Sequence, residues 1–287
     1  MTLSLNNLTF IIVTFKSEYI IHECIESLPK NSNIIVIENS NNDELKKTLE
    51  EKYSKIKVII QENSGMGSAN NKGIKLCTTE YAFIINPDVK FYQDTLEELI
   101  SLSSIYNDYS ILAPISDDIK YPNYKMNTKH STSDDPDLLS VDSVDGFAML
   151  INKNKFSDNI YFDENFFLFL ENDDLCLNKK KENKKIYVAK KAKINHLGGK
   201  STSIIHEKEI ELSRNWHWMW SKFYFNKKHY GYLKAFLKSF PILITSAINF
   251  FYYFVTNNKL KKKIYIMRFL GLLNSMLCKK SWYRPKV

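Results

Sequence analysis

The chain has 287 residues, of which 44% are hydrophobic and 25% charged, and a formal net charge of +8. That length holds one large domain, or one with a small annex, and the composition excludes a wholly disordered or collagen-like chain. The positive balance leaves nucleic acid and an anionic membrane open as partners.

The first hundred residues alternate strand-like and helix-like segments. Residues 8–15 form a β-branched run that reads as a buried strand. Residues 18–28 have apolar side chains near helical spacing and stop at Pro29. Residues 33–37 read as a strand, 43–53 as a helix, 56–60 as a strand, 68–76 as a helix and 81–85 as a strand ending at Asn86-Pro87. Such alternation predicts a parallel α/β sheet covered on both faces. Residues 116–140 are polar and punctuated by Pro122 and Pro136, a long loop of the kind that is functional or mobile. Beyond it, 144–151 reads as a strand, 165–178 as an apolar-to-acidic segment and 184–193 as a lysine-edged strand. Helical periodicity follows through 207–225 and 260–277.

Charge divides the chain. Residues 1–203 hold 24 Lys and Arg against 29 Asp and Glu, a net −5; residues 204–287 hold 16 against 3, a net +13. All four Trp (Trp216, Trp218, Trp220, Trp282) lie in the basic part. We therefore expect a domain over 1–203 and a separate region over 204–287. Cys24, Cys77, Cys176 and Cys278 are widely spaced with no C-x-x-C pair. That spacing argues against a zinc site or a disulfide framework and fits a reducing cytoplasm. The apolar run at residues 10–15 is too short for a signal peptide or a spanning helix, so the bulk of the protein is expected in the cytosol.

In an open α/β sheet, ligands bind beyond the carboxyl ends of the strands. Acidic, amide and glycine residues gather there: Thr14-Phe15-Lys16 after the first strand, Glu38-Asn39-Ser40 after the second, Asn63 to Gly73 after the third and Asn86-Pro87-Asp88 after the fourth. The Gly65-Met-Gly67-Ser-Ala-Asn70 stretch departs from a dinucleotide fingerprint, because it follows the third strand and has Asn70 in place of the last glycine. Its glycines suit a tight helix start, and that helix N-terminus can approach a phosphate or sugar. Asp88 after an apolar strand is costly unless paired; a hard divalent ion shared with a diphosphate would satisfy it, and a simple turn is the other reading. Glu171, Asp173 and Asp174 follow five apolar residues, a setting that raises a carboxylate pKa toward that of a general base or else favours a helix N-terminus. His196 ends a strand and precedes Gly198-Gly199; a lone histidine there is structural or a ligand.

Taken together, these segments resemble family 2 glycosyltransferases of the GT-A fold, closest to bacterial rhamnosyltransferases of cell-surface polysaccharide assembly. The resemblance covers about residues 8–203. Its parts, in the family's order, are Ile12-Val-Thr-Phe15; Ile37-Glu38-Asn39-Ser40 with Asp43; Asn63-x-Gly65-x-x-x-Ala69-Asn70-Asn71-x-Gly73; and Asn86-Pro87-Asp88. After these come Val144-Asp-Gly146-Phe-Ala-Met-Leu150; Phe162-Asp-Glu-x-Phe166-Phe167; Glu171-x-x-Asp174-Leu175-Cys176; and His196-x-Gly-Gly-x-Ser201.

The resemblance implies a mostly parallel sheet flanked by helices; the basic, aromatic-rich helical annex at the C-terminus is expected from the composition of residues 204–287. The resemblance further implies that Thr14, Phe15 and Glu38 line the nucleoside pocket, Glu38 accepting a pyrimidine N–H. Asn63, Gly65, Asn70 and Asn71 would approach the ribose, diphosphate or sugar, beside Asn86 and Asp88. Asp88 would hold a divalent metal (Mg²⁺ or Mn²⁺), with His196 as a further ligand. The acidic cluster would supply the base that deprotonates an acceptor hydroxyl in an inverting transfer. One position departs from the family's Glu-Asp-x-Asp-Leu pattern: Asn172 stands where the expected base would be and cannot take a proton. Asp173 or Glu171, with Asp174 beside them, would then assume the role.

In the basic region, residues 239–255 carry no charge but include Pro241, Thr245 and Asn249, and lysines flank them on both sides. That suits a helix lying at an anionic membrane surface better than one crossing it. Packing of the apolar face on the catalytic domain is the other reading, and nucleic acid is not expected, because no binding motif accompanies the charge. The function expected is transfer of a sugar, rhamnose favoured, from a nucleoside-diphosphate sugar to a lipid-linked glycan. The enzyme would be peripheral at the inner face of the cytoplasmic membrane and serve surface polysaccharide or cell-wall synthesis. The alternatives are a hexosyl- or galactofuranosyltransferase using a UDP-sugar, and a catalytically impaired family member acting as a membrane-bound scaffold.

Overall fold

A computed structural model describes residues 2–126, 136–156, 159–198 and 206–285. The chain divides into two compact units: Met1–Asp163 with Asn172–Ser203, and Glu164–Glu171 with Ile204–Val287.

The first unit begins with four parallel strands, β1 (Leu8–Thr14), β2 (Asn33–Glu38), β3 (Ile56–Ile60) and β4 (Tyr81–Ile85), in the order β3-β2-β1-β4. The crossovers are α1 (Ile21–Ser27), α2 (Asp43–Lys52) and α3 (Met66–Leu76). All of β1 is buried, and its side chains alternate between two apolar layers. Phe10 and Ile12 join Phe83, Leu45 and Leu49 on one face; Ile11 and Val13 join Ala69, Ile74 and Ile84 on the other. That two-sided burial is why β1 reads as an unbroken apolar run. A Cβ at Gly73 of α3 would run into the Ile11 side chain, so the glycine lets α3 lie directly on β1.

Next come β5 (Val89–Phe91), α4 (Thr95–Ile105), β6 (Tyr109–Ser116), β7 (Tyr124–Lys125), β8 (Leu138–Ser140), β9 (Ser143–Val144), β10 (Ala148–Asn152), α5 (Glu171–Lys181) and β11 (Lys185–His196). Among the described residues the main sheet has nine strands, continuing past β4 as β10-β6-β11-β5, with β8 also on β11. β10 runs antiparallel between β4 and β6, whereas β11 is parallel to β6. β7 and β9 pair separately.

Two sequence expectations change here. The single strand over 144–151 is broken at residues 145–147, where a turn at Gly146-Phe147 separates β9 from β10. The loop over 116–140 contains β7 and β8, and its residues 127–135 lie outside the described residues.

In the second unit, α6 (Glu207–Tyr230), α7 (Tyr232–Val255) and α8 (Lys259–Met276) pack around Met219, Phe223, Ala235, Leu272 and Met276. A Cβ at Gly271 would collide with the Trp216 carbonyl oxygen, which shows how closely α8 crosses α6. Residues 164–171 belong to this unit. Phe167 is stacked on His217 with centroids 4.4 Å apart, and Ser221 Oγ donates to the Leu168 carbonyl at 2.8 Å. Phe169 and Leu170 take left-handed φ values of 70° and 67° just before α5.

Candidate functional site

The carboxyl ends of β1, β2, β3 and β4 form one edge. Thr14 and Glu38 are register partners on β1 and β2, and both are fully buried. The Thr14 hydroxyl has no hydrogen-bond partner. The Glu38 carboxylate accepts from the backbone N–H of Ser40 at 2.9 Å, from that of Asn42 at 2.8 Å and from the Ser40 hydroxyl. It therefore shapes the 38–42 turn, and a nucleobase N–H would share the carboxylate with these donors. Phe15 follows Thr14, partly exposed, its N–H donating to Ser17 Oγ at 3.2 Å.

Gly65 precedes α3 with φ 95°, a backbone that favours glycine, and Asn63 Oδ1 accepts its N–H at 3.2 Å. One turn into α3 the two asparagines diverge. Asn70 is buried with its Oδ1 unpartnered. Asn71 instead clasps a distant loop, donating to the Phe162 carbonyl and accepting the Phe162 N–H, both at 2.9 Å. Its amide thus already serves the Phe162 loop, where the sequence implied an approach to the ribose, diphosphate or sugar.

Beyond β4, the Asn86 N–H donates to the Phe147 carbonyl at 2.9 Å, and the Leu197 N–H to the Asp88 carbonyl at 3.1 Å. These bonds hold the end of β4, the turn before β10 and the end of β11 together. Asp88 is 2% exposed, its Oδ1 has no hydrogen-bond partner, and His196 Nε2 stands 3.5 Å from it. The Phe147 ring stacks on the His196 imidazole with centroids 3.8 Å apart, fixing its plane. Buried carboxylate oxygens ordinarily find a donor or a cation, so this one marks a place where a cation fits. A carboxylate and an imidazole suit Mn²⁺ or Mg²⁺, provided phosphate and water oxygens complete the shell. Among the described residues no three His, Cys, Asp or Glu side chains converge on one point, so those further ligands are needed. Gly199, Lys200 and Ser201 of the His196 motif lie outside the described residues.

The acids read from the sequence fare differently from one another. Asp173 accepts from Lys125 Nζ at 2.7 and 2.8 Å and from Ser143 Oγ at 2.8 Å. Asp174 is buried and accepts from Asn178 Nδ2 at 3.3 Å, four residues along α5. Glu171 is the first residue of α5 and falls in the second unit. Asn172 donates to the Val144 carbonyl at 2.8 Å, which an ionised aspartate cannot do.

Three residues of this edge were given no role from the sequence: Lys125, and Asp145 and Phe147 within the motif over residues 144–150. Burial raises the Asp145 carboxyl above the usual range, with Lys125 pulling it down, Asp173 pushing it up and His196 pulling it down. The Asp-Gly dipeptide signals a turn, but it sits inside an apolar run that reads as continuous strand.

The fold of the first unit has counterparts among known proteins. The chain belongs to glycosyl transferase family 2, whose model matches residues 9–174, more than half its length. Among curated relatives, the low-salt glycan biosynthesis hexosyltransferase Agl10 of Haloferax volcanii is 26% identical over 197 residues, 62% of this chain and 63% of Agl10. The chain thus spans less than two thirds of the length of the curated relatives it matches. Residues 1–349 of S. aureus TarS share the fold at a TM-score of 0.53 and 16% identity, covering 97% of this chain and 93% of that one. A mannosyltransferase from Pyrobaculum calidifontis, solved with GDP-Man and Mn²⁺, does so at 0.57 and 10% identity, covering 96% of this chain and 88% of that one.

Proposed function

We propose that the chain is an inverting glycosyltransferase that moves a sugar from a nucleoside-diphosphate donor to a hydroxyl of a lipid-linked glycan. The observation that carries this is the buried, unpartnered Asp88 Oδ1 beside His196 at the carboxyl edge of the sheet. Thr14 and the turn shaped by Glu38 offer a floor for the nucleoside. The α3 N-terminus and Asn70 offer backbone N–H groups and an amide to the diphosphate and sugar. Asp88 and His196 would hold a divalent cation, which supplies charge neutralisation on the departing diphosphate. Phe147 keeps the imidazole in plane, and the end of β11 is tied to Asp88 through the Leu197 N–H.

The donor sugar is where two expectations meet. Rhamnose rests on the family resemblance, and a hexose on the likeness to the hexosyltransferase Agl10.

The second unit supports an acceptor held in a membrane. Leu233, Leu237, Phe240, Ile244, Ile248, Phe251 and Val255 form one stripe along α7, each 43–81% exposed. Their spacing of three and four residues keeps them on one helix face. Ala235, Ser239 and Ser246, which are buried, lie on the opposite face, against the rest of the unit. Lys234 and Lys238 run along one border of the stripe. Residues 212–287 contain 15 Lys and Arg and no Asp or Glu. A second copy of the same surface would meet it with like charge, whereas an anionic bilayer offers both hydrocarbon and counter-charge.

By length and composition α7 is able to span a membrane, at 24 residues and a mean hydropathy of 1.3. It is paired antiparallel with α8, however, from Tyr232 against the Met276 carbonyl to Tyr253 against Tyr265. A perpendicular crossing would carry Arg268 and the lysines of α8 with it, at about 2.5–3.5 kcal/mol for each basic residue near the bilayer centre. An in-plane α7 avoids that cost.

The test is release of nucleoside diphosphate from UDP-glucose, UDP-galactose, GDP-mannose and dTDP-rhamnose, with a polyprenyl-diphosphate-linked N-acetylglucosamine as acceptor, in Mn²⁺ and in EDTA. Release from one donor that EDTA abolishes is expected. Binding without release from any donor favours the scaffold alternative.

A further inference from the structure

Asn172 leaves this site without an acid at the position where the family resemblance puts the base, and the geometry points to Asp145 as its replacement. This inference rests on the glycosyltransferase reading above. Both chain neighbours of Asp145 lie beside Asn172. The Asn172 amide donates to the Val144 carbonyl at 2.8 Å, and a Cβ on Gly146 would stand 3.4 Å from the Asn172 Cβ. The turn that carries Asp145 therefore lies against the Asn172 side chain. The Asn172 amide also fixes the turn that presents Asp145, a bond that an aspartate at 172 would replace with repulsion between carboxylate and carbonyl.

The other acids of the first unit here are already engaged: Asp174 is buried and accepts from Asn178 Nδ2 at 3.3 Å. Asp173 takes two hydrogen bonds from Lys125 and one from Ser143, each at 2.7–2.8 Å. Both of its oxygens are thus already held by protein donors. Asp145 is anchored through its backbone, its N–H donating to the Asn123 carbonyl at 2.8 Å, and is partly exposed. Two residues on, Phe147 stacks on His196, which places the turn beside the buried Asp88. Burial holds the Asp145 carboxyl above its ordinary range, which makes its anion a stronger base than an exposed aspartate.

In the step proposed, the Asp145 carboxylate accepts the proton of the acceptor hydroxyl while that oxygen forms its bond to the anomeric carbon. The bond from that carbon to the diphosphate oxygen breaks, and its electron pair leaves with the nucleoside diphosphate. The proton then passes to solvent. Asp173 and Lys125 act as positioning residues, balancing charge beside the base without touching the acceptor.

The experiment compares Asp145→Asn, Asp145→Glu and Asp173→Asn with the full wild-type chain. It measures turnover with whichever donor the panel identifies, and the affinity for UDP with Mn²⁺ by calorimetry. For Asp145→Asn we expect kcat to fall about 10²-fold or more, with acceptor KM and the UDP affinity within about twofold of wild type. Asp145→Glu, which keeps the carboxylate, restores part of the rate, whereas Asp173→Asn changes acceptor KM more than kcat. The inference is overturned if Asp145→Asn keeps wild-type kcat. It is equally overturned if the variant loses UDP–Mn²⁺ binding, since Asp145 would then serve the donor. A wild-type chain that turns over no donor fails the glycosyltransferase reading itself, and this inference with it.

Discussion

Replacing Leu237, Ile244, Ile248 and Phe251 with serine together should detach the protein from anionic vesicles. The four side chains are 63, 46, 62 and 64% exposed, so about half of each is available to enter a bilayer. Full burial of such a side chain is worth about 1.5–3 kcal/mol, so each contributes roughly 1 kcal/mol and the set about 3–6 kcal/mol. At about 1.4 kcal/mol per tenfold, that is a fall in partition coefficient on the order of 10² or more. The buried face of α7, with Ala235, Ser239 and Ser246, is untouched, so the helical unit keeps its packing, as circular dichroism should show. Flotation with vesicles of phosphatidylglycerol and phosphatidylcholine reads the effect. Wild type should rise with the lipid and be partly released by salt, since each lysine near the surface adds roughly 1 kcal/mol that ions screen. A serine variant that floats as wild type does, or a wild type that stays in the bottom fraction, refutes the membrane reading.

Two further outcomes probe the helical unit. His217 is fully buried and its pKa is lowered to about 3, chiefly by burial; Nε2 faces the Tyr283 carbonyl at 3.0 Å and Nδ1 the Ser281 hydroxyl at 3.1 Å. The unfolded chain takes up that proton near pH 6.5, so the stability His217 confers is complete above about 6.5 and is lost toward pH 3. The loss is about 2 kcal/mol by pH 5. Thermal unfolding of wild type should therefore weaken between pH 7.5 and 5 more than that of His217→Gln, and equal slopes would contradict the linkage. Gly271→Ala drives a methyl into the Trp216 carbonyl and should cost about 1–3 kcal/mol, read as a lowered Tm; an unchanged Tm would mean that α6 and α8 have slack.

The parallel half of the sheet was legible because its determinants are local. β1 to β4 are short apolar runs, closed by residues such as Asn39, Asn63 and Asn86-Pro87, and their carboxyl ends carry the polar residues of the site. β5 is three residues long and gains its place from β11, about a hundred positions later, where His196 pairs with Val89. No local pattern reports such a pairing. The same distinction runs through the site. The spacing of Asp88 and His196 says that both end strands, but their 3.5 Å approach depends on β5 folding back onto β11. Asn71 looked like its neighbour Asn70, and only the Phe162 loop separates their roles. Asp145 was hidden because Val144 to Leu150 has the hydropathy of one strand, and its burial and charged neighbours come from β7, α5 and β11.

The role of Asp88 is best measured as the Mn²⁺ dependence of donor turnover in wild type and in Asp88→Asn. Wild type should rise to saturation with Mn²⁺. Asp88→Asn should be slower by about 10²-fold or more and gain little from added metal, because its amide no longer offers an anionic oxygen to the cation. An Asp88→Asn protein that turns over donor at the wild-type rate, with the same Mn²⁺ dependence, would contradict the assignment of this buried carboxylate to the diphosphate and its cation.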